Sequence, residues 1–148
     1  GASALSVTSL SEGRKLMRLM KGLNSEELNL TPSYLIVPAA LEQTAYQLTS
    51  ANYVAATQAA ISEFRAGGRT ALEPVVEPLL DADSATKWYM AAANSAVDTV
   101  EYAYLDGAEG PVIESETGFE VDGVSFKCRL DFGAKAGDHR GLHRSAGA

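Results

Sequence analysis

The first part of the chain has apolar residues at helical spacing. An apolar stripe begins soon after the amino terminus, at Leu16, Met17, Leu19 and Met20. Ser9 and Glu12 precede it and stand three positions apart, which is the pattern of a capping box ahead of a helix. The spacing predicts a helix over about residues 10–21. Gly22 should end it in a left-handed conformation, with Leu23 folded back onto Met17.

The predicted helix also has a basic face. Its members are Arg14, Lys15, Arg18 and Lys21. Cations near the carboxyl end of a helix interact favourably with the helix dipole, so a solvated basic face is one interpretation. Contact with a neighbouring subunit is the other, and the sequence leaves both open.

Two further elements are predicted before the chain becomes difficult to interpret. Apolar residues over 28–37 favour a buried strand, and Pro38 suits the first turn of a new helix. That helix should extend to about Thr49, because three apolar residues lie at helical spacing, namely Leu41, Ala45 and Leu48. Residues 51–69 are rich in alanine and favour a short helix over about 58–65.

Beyond Thr70, proline punctuation and β-branched or aromatic residues favour strands. The clearest signal is strict alternation after Asp122-Gly123, a favoured pair in tight hairpin turns. One face would hold Val124, Phe126, Cys128, Leu130 and Phe132, and the other Ser125, Lys127, Arg129 and Asp131. We expect a hairpin leading into one long strand. Its apolar face should be buried, with Lys127 and Arg129 exposed or at an interface.

Composition narrows the class of protein. With 148 residues, 46% apolar and 21% charged, the chain has the size and composition of an ordinary globular domain. A formal net charge of -7 argues against a protein that binds nucleic acid through bulk electrostatics. The single cysteine, Cys128, excludes an internal disulfide and is expected to be a small buried apolar residue. Apolar runs too short for a bilayer and the lack of a signal peptide favour the cytoplasm.

Two histidines form the best candidate metal site. His139 and His143 are four positions apart, as on one face of a metal-binding helix. The intervening Arg140 and Gly141 argue against a helix, and the acidic residue that a metalloprotease needs is missing. An exposed tail, or a strand contacting a neighbour, is the better interpretation.

Other candidate chemistry is weaker still. Asp81, Asp83 and Ser84 could begin a calcium loop, but its central glycine and closing glutamate are missing, which leaves a solvated turn. No serine has the flanking glycines of a hydrolase nucleophile, and no glycine-rich phosphate loop is present. We therefore predict no catalytic, no cofactor-binding and no metal-binding residues, and no cofactor.

Several phrases distributed over nearly the whole chain carry a resemblance. They are PSYLIVP at 32–38, LEPVVEP at 72–78, WY at 88–89, VEYAYL at 100–105, GFEVDG at 118–123, DFGA at 131–134 and DHRG at 138–141. In combination they resemble the major head subunit family of Mu-like phages and prophages.

The resemblance implies an α+β fold of the type seen in the capsid protein of the Hong Kong ninety-seven phage. Residues 1–95 would form an axial-domain-like α/β part, and residues 96–148 a peripheral-domain-like β part. The amino-terminal arm, the extended loop and the spine helix of that fold would be missing. The chain would then correspond to the carboxyl-terminal half of a capsid protein.

By the same resemblance, the chain is a structural virion protein and not an enzyme. Its partners would be other copies of the subunit, assembled in the bacterial cytoplasm into a phage or prophage head. A maturation protease encoded upstream is a possible further partner, whereas specific nucleic acids and membranes are not expected. The alternatives are another virion component, a small binding module, or a hydrolase fragment using His139 or His143.

Overall fold

The computed structural model describes residues 2–52, 64–68, 70–107, 109–118 and 122–148. The chain divides into two compact units, unit 1 (Gly1–Thr99 with Asp138–Ala148) and unit 2 (Val100–Gly137). The division into parts over residues 1–95 and 96–148, which the resemblance implies, stays a prediction. The compact units have other bounds, since residues 138–148 belong to unit 1. Helices and strands are both present, which fits the predicted α+β class.

Helix α1 covers Val7–Arg18 and begins earlier than the sequence predicts. Its amino-terminal cap is Ser6, whose hydroxyl accepts from the backbone N–H of Ser9 at 3.2 Å. The Ser9 hydroxyl accepts in turn from the N–H of Ser6 at 2.9 Å, which completes a capping box. The predicted box of Ser9 and Glu12 is therefore wrong. Ser6 supplies an equivalent hydroxyl three positions upstream, and Glu12 instead pairs with Lys15.

The predicted end of this helix is also wrong. Helix α1 ends at Arg18, and Leu19 is its carboxyl-terminal cap. Gly22 has no left-handed conformation; its N–H donates to the carbonyl of Glu26 at 2.8 Å in a turn outside the helix. Leu23 is 89% exposed and does not fold back onto Met17, because the chain has already left the helix axis.

A four-stranded sheet forms the centre of unit 1. Its strands are β1 (Pro32–Val37), β2 (Glu73–Val76), β3 (Trp88–Ala92) and β8 (Leu142–Ser145). Their order in the sheet is β2-β1-β3-β8. β1 pairs in parallel with β2 and antiparallel with β3, and β3 pairs antiparallel with β8. β1 is shorter than the predicted strand over 28–37, because Asn29 has a left-handed backbone (φ 48°) that interrupts an extended run.

The second helix is confirmed. A 3₁₀ turn (Ala39–Leu41) follows Pro38 and leads into α2 (Glu42–Thr49), which ends where the sequence predicts. Ala45 is fully buried in α2, with Leu41 and Leu48 partly buried against the core. Most of the helix predicted over 58–65 lies outside the described residues. Phe64, at the start of the next described segment, is fully buried.

Side chains from α1, α2 and the sheet, together with Phe64, form the core of unit 1. Its most buried members are Leu10, Met17, Leu35, Val37, Ala45, Phe64, Trp88 and Met90, each at most 1% exposed. Burying one large apolar side chain contributes about 1.5–3 kcal/mol, so this cluster is the main source of stability in the unit. The indole N–H of Trp88 donates to the carbonyl of Ser3 at 3.0 Å and is thus satisfied inside the core.

Unit 2 consists of two strand pairs. Its strands are β4 (Val100–Tyr104), β5 (Val112–Thr117), β6 (Val124–Arg129) and β7 (Phe132–Ala136). β4 pairs with β7 and β5 pairs with β6, both antiparallel. The predicted hairpin exists, because Thr117 lies opposite Val124 and the Gly118 N–H donates to the Gly123 carbonyl at 3.0 Å. Its connection is longer than a two-residue Asp-Gly turn.

The single long strand predicted as far as Phe132 is divided in the structure. β6 ends at Arg129, and β7 begins at Phe132 with a different partner strand. The alternation of apolar and polar residues continues through Leu130 and Asp131, but the backbone pairing does not. Alternation reports which side chains share a face, and it carries no information on where the partner strand changes.

Candidate assembly surface

The strand pairs of unit 2 expose most of their apolar side chains. Every position of β5, β6 and β7 is exposed, and the exposed fractions reach 75% for Phe126 and 69% for Ile113. The predicted burial of Val124, Phe126 and Leu130 is therefore wrong for the isolated chain. A two-stranded ribbon can sort its side chains onto two faces, but a second layer is needed to cover either face.

An aromatic cluster lies on one face of the β4–β7 pair. The ring centroids of Tyr104 and Phe132 are 5.5 Å apart, and Tyr102 lies 6.0 Å from Tyr104 and 6.2 Å from Phe132. Leu105 and Leu130 line an adjoining open cavity of about 470 Å³ together with Tyr104 and Phe132. Tyr102 is nevertheless 68% exposed and Phe132 56% exposed. The cluster is thus an apolar surface rather than a core.

The β5–β6 pair has one apolar face and one charged face. Ile113 lies opposite Cys128 on the apolar face, which Val124 and Phe126 share. On the charged face, the Lys127 Nζ atom lies 2.9 Å from a carboxylate oxygen of Glu114. Within β6 the predicted sorting of side chains is confirmed, with Lys127 and Arg129 exposed.

Cys128 is exposed, so its predicted burial is wrong. The alternation correctly places it on the apolar face of β6. No second layer covers that face in the part of the chain that the structure describes, which is why the thiol is accessible.

Each strand of unit 2 has one partner strand among the described residues. Within the described residues, the other backbone edge of each strand has no partner strand. Exposed strand edges beside exposed apolar side chains are the features through which sheets associate. The strand pairs of unit 2 therefore form the candidate assembly surface, composed chiefly of Tyr102, Tyr104, Ile113, Phe126, Leu130 and Phe132.

Sequence patterns alone do not identify this surface. They mark Tyr102 and Tyr104 only as residues that favour a strand, and they predict Phe126 and Leu130 to be core. The available signal is the alternation of apolar with polar or charged residues, as over 124–132. That signal does not distinguish a thin core from an interface, because both need apolar faces.

The two histidines do not share a helix. His139 lies in a 3₁₀ turn with its side chain 88% exposed, whereas His143 lies in β8. The His143 ring packs 5.8 Å from Trp88, and partial burial there lowers the pKa of the imidazole below its usual value. His139 is exposed as expected. The segment of His143 is not a tail but a strand paired within the same chain.

The acidic residues considered for calcium have structural partners instead. Asp81 accepts from the backbone N–H groups of Ala39 and Ala40, at 2.7 and 3.2 Å, and so caps the turn before α2. Asp83 accepts from Lys87 at 2.8 Å. Over the described ranges, no group of three or more His, Cys, Asp and Glu side chains could hold a metal ion. That the chain has no catalytic, cofactor-binding or metal-binding residues stays a prediction.

Among the described helices, none is both long and apolar enough to cross a membrane. A family model described as phage capsid protein matches residues 1–145. No curated protein and no solved structure matches the chain.

Proposed function

The chain belongs to the phage capsid protein family, and from that premise we propose that it is a major capsid subunit. Copies of the subunit would associate to build the icosahedral head of a phage or prophage, and the protein would reside in the virion. Proteins of this family are structural rather than enzymatic. Their function lies in the geometry of their contacts with other subunits.

We propose further that the fold is of the Hong Kong ninety-seven phage type and that the relationship is to Mu-like head subunits. Unit 1, with its buried sheet and helices, would be the axial-domain-like part. Unit 2, with its strand pairs, would be the peripheral-domain-like part. A net charge of -7 suits a container whose wall should not retain the genome by bulk attraction.

The observation that carries self-association is the exposed apolar surface of unit 2. Tyr102, Ile113 and Phe126 are each more than two thirds exposed, and all lie on strands whose other edge has no partner strand within the described residues. Monomeric soluble proteins rarely leave such faces uncovered, because covering them contributes about 25 cal/mol per Å² of apolar area. A second copy of the subunit is the covering layer that a capsid protein has available.

The proposal is tested by measuring the mean mass by light scattering while the protein concentration is varied about a hundredfold. We expect the mean mass to rise with concentration. Phe126→Lys should shift the rise to higher concentration, because a charge would be buried at the contact. Leu79→Lys is the matched control, since Leu79 is an 81% exposed leucine of unit 1 outside the candidate assembly surface.

A mass that stays monomeric at every concentration would contradict the proposal. A monomer that nevertheless binds preformed heads would indicate a decoration or other accessory virion protein. Equal effects of the two lysine substitutions would show that association occurs through another surface.

A further inference from the structure

A basic groove runs along the exposed face of α1, with Thr70 on its other side. Its volume is about 870 Å³, and the α1 segment contributes Thr8, Ser11, Glu12, Arg14, Lys15, Arg18 and Leu19 to its lining. Three cations and one carboxylate thus line one groove of a chain whose net charge is -7. This local reversal of charge favours an anionic partner over a cationic one.

The cations of the groove are held in place by their neighbours. The Arg14 guanidinium lies 5.2 Å from the ring centroid of the buried Phe64, and Arg18 donates to the side-chain oxygen of Asn29 at 2.7 Å. Lys15 lies 3.7 Å from the Glu12 carboxylate, yet its side chain remains 65% exposed. Leu19, 47% exposed, adds an apolar contact to the groove. Positioned cations around an apolar contact are typical of protein interfaces.

The complementary charge lies in unit 2. Residues 100–137 contain eight acidic and three basic side chains, so this unit carries most of the negative charge. No lysine or arginine occurs in the sequence between Glu114 and Phe126. Glu116 and Asp122 are exposed there, and neither has an ion pair within the described ranges.

We infer that the basic groove of one copy binds the exposed carboxylates Glu116 and Asp122 of unit 2 of another copy. The inference rests on the proposed function and adds an electrostatic contact that orients the subunits. Different surfaces meet in this contact, so it is head-to-tail and can continue into rings or larger assemblies. Charge complementarity of this kind mainly sets which partner and which orientation are selected.

Charge exchange between the two surfaces tests the inference in the full chain. Lys15→Glu with Arg18→Glu should weaken association about tenfold, and so should Glu116→Lys with Asp122→Lys. Mixing the two variants should restore association, because the reversed groove of one then faces the reversed charges in unit 2 of the other. Lys21→Glu with Arg144→Glu is the control, with the same change in net charge outside the groove.

The restored association should weaken as salt rises from about 0.05 to 0.5 M, like that of the unchanged chain. Association that is unaffected by either double substitution would overturn the inference and leave the proposed function standing. Chains that remain monomeric in every case would overturn both. Loss of duplex DNA binding in the groove variant, with unchanged self-association, would overturn the inference by assigning the groove to nucleic acid instead.

Discussion

Unit 1 buries its large apolar side chains, whereas unit 2 exposes similar ones. In unit 1, Leu35, Trp88 and Met90 of the sheet are at most 1% exposed, because helices and neighbouring strands cover them. In unit 2, Phe126 and Phe132 lie on equally regular strands and are 75% and 56% exposed. The difference is the presence of a second layer, since a single sheet buries little until something packs on it.

The comparison teaches where stability and assembly reside in this chain. A covered core stabilises unit 1 without help from another molecule. Isolated two-stranded hairpins are only marginally stable in water, so a partner that covers unit 2 should stabilise it more than it would stabilise unit 1. An apolar residue should therefore act on folding in unit 1 and on association in unit 2.

The largest expected effect comes from Trp88→Ala in unit 1. Removing the ring leaves a cavity and takes away one of the two donors to the Ser3 carbonyl, so the free energy of unfolding should fall by about 3–5 kcal/mol. Phe126→Ala, the counterpart in unit 2, should change it by less than about 0.5 kcal/mol in dilute solution. Denaturant unfolding followed by circular dichroism measures both, because Trp88→Ala removes the single tryptophan on which fluorescence would depend. Similar losses for the two variants would abolish the distinction between the units.

A smaller effect is expected from two glycine substitutions. Gly147 has φ +75°, and a Cβ atom there would overlap the backbone carbonyl of Thr86, so Gly147→Ala should cost about 1–2 kcal/mol. Gly133 lies in β7, where an added Cβ atom would meet nothing within 4 Å, so Gly133→Ala should be close to neutral. Thermal unfolding of both variants checks this pair. A larger cost at Gly133 would mean that unit 2 is packed more tightly than its exposure indicates.

The smallest effect is a pH dependence located in unit 1. Burial lowers the pKa of His143 in the folded state. As the pH falls below about 6.5, the unfolded chain therefore binds more protons than the folded chain does. Neutral His143 contributes fully to the free energy of unfolding above that pH. The contribution is lost as the pH falls towards the lower pKa of the folded state. Melting temperatures between about pH 5 and 8 should therefore decline slightly on the acid side. His143→Gln should reduce the decline and His139→Gln should not; the reverse result would place the titrating group elsewhere.

Much of the chain can be predicted from the sequence because the signals are local. Helical spacing locates α2 with its end at Thr49, and alternation places Cys128 and Phe126 on one face of a strand. The phrases spread along the chain indicate a phage capsid protein, which the family match confirms at that level. Local patterns determine which side chains share a face, since the periods of helix and strand are fixed by backbone geometry.

Only the tertiary structure decided which of those faces is covered. The alternation after Asp122-Gly123 predicts burial, yet Phe126 is exposed, because burial requires a layer that the strand itself does not encode. The pairing of β8 with β3 likewise joins segments far apart in the chain and returns His143 to unit 1. Ser6 rather than Ser9 caps α1, although both residues offer a hydroxyl. Covering, pairing and register are non-local, so a one-dimensional pattern leaves them open.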